Sequence, residues 1–193
     1  NVVVGIWFRV VNMNKKKFNA FKVALGGVVS ALSVVLMFST GLIPTLTYAI
    51  PAMAGMLLIV ISIEISPKFA TVVYVAVSML SLLVVADKEA AVMYAAFFGY
   101  YPIIKGFIEK KLSGVVEWIV KYVIFNIAVI SAYFVVSKIF MISYEDLGSL
   151  GKYAMPVFLV ICNIVFALYD IALTRLLSAY IYNWRKYIKR MFK

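Results

Sequence analysis

Lys105, Asp170, Tyr101 and Asn126 are polar side chains set within long apolar runs, and Asp87-Lys88-Glu89 is an adjacent acid-base-acid triplet between two such runs. An ammonium and a carboxylate on neighbouring apolar helices can neutralise one another, or they can gate or couple a movement. A triplet of alternating charge beside tyrosines can hold a polar solute through hydrogen bonds and ring contacts. Catalysis asks for more than this. Hydrolases and phosphotransferases need a nucleophile with a base, or several carboxylates around a metal. The chain has eight acidic residues, and no two stand at i, i+3 or i+4 on one apolar helix. It has no histidine and a single cysteine, Cys162, which argues against His/Cys metal sites, haem ligation and an internal disulfide. A glycine-rich phosphate loop is also absent from the sequence. The expectation is a protein without catalytic chemistry and without a cofactor.

These side chains must be positioned by elements suited to a bilayer. Of 193 residues, 65% are hydrophobic and only 14% are charged, with a mean hydropathy of +1.03. A hydrocarbon core of about 30 Å takes about 20 apolar helical residues to cross. Six stretches meet this, at 20–40, 46–65, 67–86, 89–106, 122–140 and 153–173. They lack the period-2 alternation of a membrane barrel. The fold expected is therefore all-α: a polytopic membrane protein of six transmembrane helices in one domain, residues 13–175. Residues 1–12 precede a Met-Asn-Lys-Lys-Lys run and read as a leader or scar, excluded from functional reasoning. Residues 176–193 continue the sixth helix with aromatic and basic residues, as expected of a helix at an anionic inner leaflet. Pro67 suits a first helical turn, whereas Pro51 and Pro102 should bend helices two and four and free a carbonyl.

Lysines and arginines sort by side. With the N-terminus inside, fifteen lie on that side: Lys15, Lys16, Lys17, Lys22, Lys68, Lys105, Lys110, Lys111, Lys121, Arg175, Arg185, Lys186, Lys189, Arg190 and Lys193. Three lie opposite, Lys88, Lys138 and Lys152. This asymmetry predicts a plasma-membrane protein with both termini cytoplasmic. It also accounts for the net charge of +11 without nucleic acid as a partner.

On the fourth helix Tyr94, Phe98, Tyr101 and Lys105 recur at steps of four, three and four and share a face. A rise of about 1.5 Å per residue sorts the polar groups by depth. An inner set comprises Tyr101, Lys105, Asn126 and Asp170, with Lys105 and Asp170 as an intramembrane pair, either structural or coupled to gating. An outer set comprises Thr45, Thr47, Tyr48, Asp87, Lys88, Glu89, Tyr94, Tyr133 and Tyr153. It forms either a pocket open to the outside or solvated loops with interfacial tyrosines. On the first helix Ala20, Ala24, Gly27 and Ala31 make a small-residue stripe, widened by Gly26 and Ser30. Such a stripe admits a close helix neighbour, either within its own bundle or from a separate partner.

Ala20-x-x-x-Ala24, the uncharged loop Gly41-Leu42-Ile43-Pro44-Thr45 and six compact spans in under 200 residues resemble the substrate-binding S components of energy-coupling factor transporters. The likeness runs from Lys22 to Arg175. Asp87-Lys88-Glu89-Ala90-Ala91, Phe97-Phe98-Gly99-Tyr100-Tyr101-Pro102 and Tyr169-Asp170 look like a Firmicute-type branch of that group. The resemblance implies a six-helix bundle that captures a vitamin or other micronutrient from outside. It further implies docking on a membrane coupling subunit driven by ATPase subunits. Ala20 and Ala24 match the docking motif, and Gly27 and Ala31 extend it by helical spacing. The family's ligand region points at Thr45, Tyr48, Lys88, Glu89, Tyr94, Tyr133 and Tyr153. No signature for riboflavin, thiamine, biotin, folate or cobalamin is present. A membrane scaffold resembling the rod-shape-determining proteins is the alternative of similar size and span count.

Overall fold

The computed structural model describes residues 2–139 and 154–184, with side chains described over 20–43, 45–138 and 156–182. All regular structure among the described residues is helical. α1 runs Val2–Ser39, and a short 3₁₀ turn at Pro44–Leu46 leads into α2, Ala49–Glu64. α3 covers Pro67–Val84 and α4 covers Lys88–Met93. A π-helical turn, Tyr94–Phe98, joins α4 to α5, Tyr101–Lys111. α6 spans Val115–Ile139 and α7 spans Ala154–Ala179, followed by a second π-helical turn at Tyr180–Trp184.

Five of these stretches are long and apolar enough to cross a bilayer: Ala20–Ser39, Pro67–Val84, Lys88–Lys111, Val115–Lys138 and Pro156–Tyr182. The protein is thus an all-helical, membrane-embedded bundle. α2 is apolar but has 16 residues. At about 1.5 Å per residue it reaches about 24 Å, short of a full crossing unless the turn before it contributes. It starts at Ala49 instead of 46, and Thr47 and Tyr48 ahead of it bond to Asp87 and Glu89 at the start of α4. This later start places Pro51 in the first turn of α2, where its missing N–H costs nothing and no bend results.

Pro102 behaves as its chemistry requires. It stands in the first turn of α5, and the helix ahead of it is broken by the π turn, in which Gly99 N–H donates to the Tyr94 carbonyl at 2.8 Å. The Phe98 carbonyl left without a partner at i+4 faces α2 at Gly55. A Cβ at Gly55 would overlap that carbonyl, so only glycine lets α2 come this close to the break. Ser66 caps α3 by accepting from Phe69 N–H at 3.2 Å, ahead of Pro67. Gly114, at φ +63°, makes the left-handed turn between α5 and α6.

The core sits where the π turn, α5, α6 and α7 meet. Phe97 stacks on Tyr101 at 4.7 Å between ring centroids, and Phe125 stacks on Phe166 at 4.6 Å. Phe97 meets Phe125 edge-on at 5.0 Å, which closes the aromatic cluster. α1, α2 and α3 pack through Val29, Met37, Ala54, Leu58, Ala70 and Val77.

Candidate functional site

Asp170 on α7 is 3% exposed and gathers three donors from two other helices. Its Oδ1 accepts from Lys105 Nζ at 2.6 Å and from Tyr101 Oη at 2.6 Å, both on α5. Its Oδ2 accepts from Lys121 Nζ on α6 at 3.0 Å. Lys105 also meets Glu109 at 2.5 Å, and Lys121 meets Glu109 at 2.9 Å and Glu117 at 2.7 Å. Two ammonium groups and three carboxylates thus form one network tying α5, α6 and α7 together. Desolvating so many charges is tolerable only because each has an opposite partner at bonding distance.

The inner set of polar residues is therefore partly assembled and partly rearranged. Tyr101, Lys105 and Asp170 are joined directly. Asn126 is not with them. It forms a reciprocal amide pair with Asn163 on α7, at 2.9 and 3.1 Å, while each amide nitrogen also donates to the carbonyl four residues back in its own helix. Lys121, Glu109 and Glu117 join the network although sequence reasoning had left them out. α6 begins seven residues earlier than 122, so Lys121 lies two turns inside a helix instead of in a loop. The available signal was spacing: Lys105/Glu109 and Glu117/Lys121 both stand at i, i+4. Since Lys105 and Lys121 are 3% and 1% exposed, they serve the network and carry no independent orientation signal.

The outer set is stitched together. Asp87 Oδ1 caps α4 by accepting from Ala90 N–H at 2.9 Å, and its Oδ2 accepts from Thr47 Oγ1 at 3.0 Å. Lys88 Nζ donates to the Leu82 carbonyl at the end of α3, at 3.0 Å. Tyr48 Oη donates to Glu89. Each member of the triplet therefore holds a different piece of backbone or side chain. Thr45 is exposed on the 3₁₀ turn, and Tyr133 is half-buried on α6 beside Phe134, with ring centroids 6.0 Å apart. Tyr94 departs from the expected pocket: it is fully buried and its hydroxyl has no hydrogen-bond partner among the described residues. It shares its helix face with Phe98, Tyr101 and Lys105, and that face points into the core. Tyr153 lies outside the described residues.

On α1 the residues Ala20, Ala24, Gly27 and Ala31 are all exposed, among exposed Val23, Val28, Leu32 and Val35. Gly26 belongs to the opposite side, where a Cβ would press on the Phe69 ring at 2.9 Å. Nothing lies within 4 Å of a Cβ built on Gly27. The stripe therefore faces away from its own bundle.

A cavity of about 250 Å³ opens at the end where α2, α5 and α7 finish and α3 begins. Ile59, Ile63, Ile103, Leu173 and Leu177 form its apolar wall, and Lys105, Glu109 and Lys110 contribute its charged groups. No three His, Cys, Asp or Glu side chains among the described residues are arranged to hold a metal ion.

No family model, curated protein or solved structure matches the chain.

Proposed function

We propose that this protein is the membrane-embedded solute-binding subunit of an energy-coupling factor type importer. On this reading it has six crossings, both termini in the cytoplasm of a bacterial cell, and no catalysis of its own. It captures a micronutrient from outside and docks on a coupling subunit that works with ATPase subunits.

The observation that carries the reading is the outward placement of Ala20, Ala24, Gly27 and Ala31. A small-residue stripe turned to the exterior of a bundle is a seat for a helix that the bundle itself does not supply. The ion network supports it from within, since a bundle cross-linked by Asp170, Lys105 and Lys121 can reorient on a partner as one body. Thr45, Tyr48, Lys88 and Glu89 lie around the connections at the opposite end from the cavity, and the Tyr48–Glu89 and Thr47–Asp87 bonds close that end. Solute entry on this reading begins with their opening, and Lys88, which spends one of its donors on Leu82, is the contact for an anionic solute.

Affinity purification of the full chain from membranes tests the proposal. Coupling and ATPase subunits should co-purify, and a small solute should be found by mass spectrometry at near-stoichiometric occupancy. Gly27→Trp, on open surface, should shed those partners while leaving the bundle folded. Recovery of cell-wall elongation proteins instead would favour the scaffold reading, and partners unaffected by Gly27→Trp would remove the stripe from the docking surface.

A further inference from the structure

The cavity between α2, α5 and α7 is a second feature, independent of the importer reading. Its walls are largely aliphatic, it lies where α2, α5 and α7 end, and Gly106 on its rim leaves open space where a side chain would stand. Its charged groups are unequal. Lys105 is engaged by Asp170 and Glu109, and the Glu109 carboxylate is held by both Lys105 and Lys121. Lys110 is exposed and makes no ion pair or hydrogen bond among the described residues. Lys68 and Lys111, also exposed, directly follow the lining residues Pro67 and Lys110. Glu64, at the end of α2, accepts from Tyr180 Oη at 3.2 Å. Each of these acids thus has a bonding partner, whereas Lys110, Lys68 and Lys111 have none among the described residues.

We propose that this cavity seats one acyl chain of an anionic phospholipid whose phosphate group rests on Lys110. An apolar slot with an uncompensated cation at its mouth, set at a helix end, matches a molecule with an anionic head and a hydrocarbon tail. A soluble anion would find no use for the aliphatic wall, and a zwitterionic lipid would gain less from Lys110, because its headgroup cation offsets the phosphate and is itself repelled by Lys68 and Lys111. The bound lipid would wedge α5 against α7 beside the ion network.

Native mass spectrometry of the full chain in detergent, equilibrated with equal amounts of phosphatidylglycerol and phosphatidylcholine of the same chain length, tests this. One phosphatidylglycerol should be retained in preference. Lys110→Gln, which removes no ion pair or hydrogen bond among the described residues, should reduce that preference about fivefold. Gly106→Leu, which fills the cavity, should abolish retention; should that variant misfold by circular dichroism, Lys110→Gln alone decides. Equal retention of both lipids, or a preference unchanged in Lys110→Gln, overturns the proposal. So does displacement of the lipid by inorganic phosphate at equal concentration, which would mark an anion site without an acyl seat.

Discussion

Lys105 and Asp170, sixty-five residues apart in the chain, meet at 2.6 Å with each side chain only 4% exposed. The same carboxylate takes Lys121 on its other oxygen, so α5 and α6 are both fastened to α7 through a single residue. Phe166, one helical turn before Asp170, packs on Phe125 and Tyr101. The network is thus seated on an aromatic floor, and its strength depends on all of its members being present.

Replacing Asp170 by Asn leaves two ammonium groups to share what remains of the acids in apolar surroundings. Thermal or denaturant unfolding in detergent, followed by tryptophan fluorescence, should show a loss of about 3–5 kcal/mol. The double change Lys105→Met with Asp170→Leu should cost less than the two single changes added together. A loss below about 1 kcal/mol for Asp170→Asn would mean that water reaches these charges.

Gly55→Ala and Gly27→Ala make a contrast at constant chemistry. At Gly55 the new methyl runs into the Phe98 carbonyl, and α2 must move away from the π turn at a cost of about 1–3 kcal/mol. At Gly27 the methyl meets open space, and the helix gains about 0.5–1 kcal/mol from alanine's lower backbone entropy. Unfolding curves of opposite shift are expected, and equal shifts would contradict the close approach of α2.

The Asn126–Asn163 pair is suited to a double-mutant cycle with alanine. Each amide already has a carbonyl in its own helix, so the pair should contribute a coupling of about 0.6 kcal/mol, with about 1.7 as the upper bound for such bonds in membranes. A coupling near zero would show that α6 and α7 are held by the ion network and Phe166 alone.

Depth and helical phase made part of this legible beforehand. Counting residues along the fourth and sixth apolar runs brought Lys105 and Asp170 to the same level, and the face shared with Tyr101 supplied the third member. The same rule misled at Tyr94, because hydroxyl chemistry suggested an outward pocket while its own face, shared with Lys105, is the buried one. Asn126 was assigned a depth but no azimuth, and azimuth decided that it meets Asn163. Lys121 was lost at a boundary: hydropathy starts a helix where charges stop, whereas Glu117 and Lys121 neutralise each other one turn apart and let α6 begin earlier. Pro51 turned on the same question of where a helix begins.

The triplet Asp87-Lys88-Glu89 has a mechanical consequence. Three consecutive side chains grip, in turn, Thr47, the last turn of α3 and Tyr48, while Asp87 also starts α4. Because neighbours in the backbone cannot separate, a pull on any one of those segments is passed at once to the others. That rim is held by a single clasp of three adjacent residues.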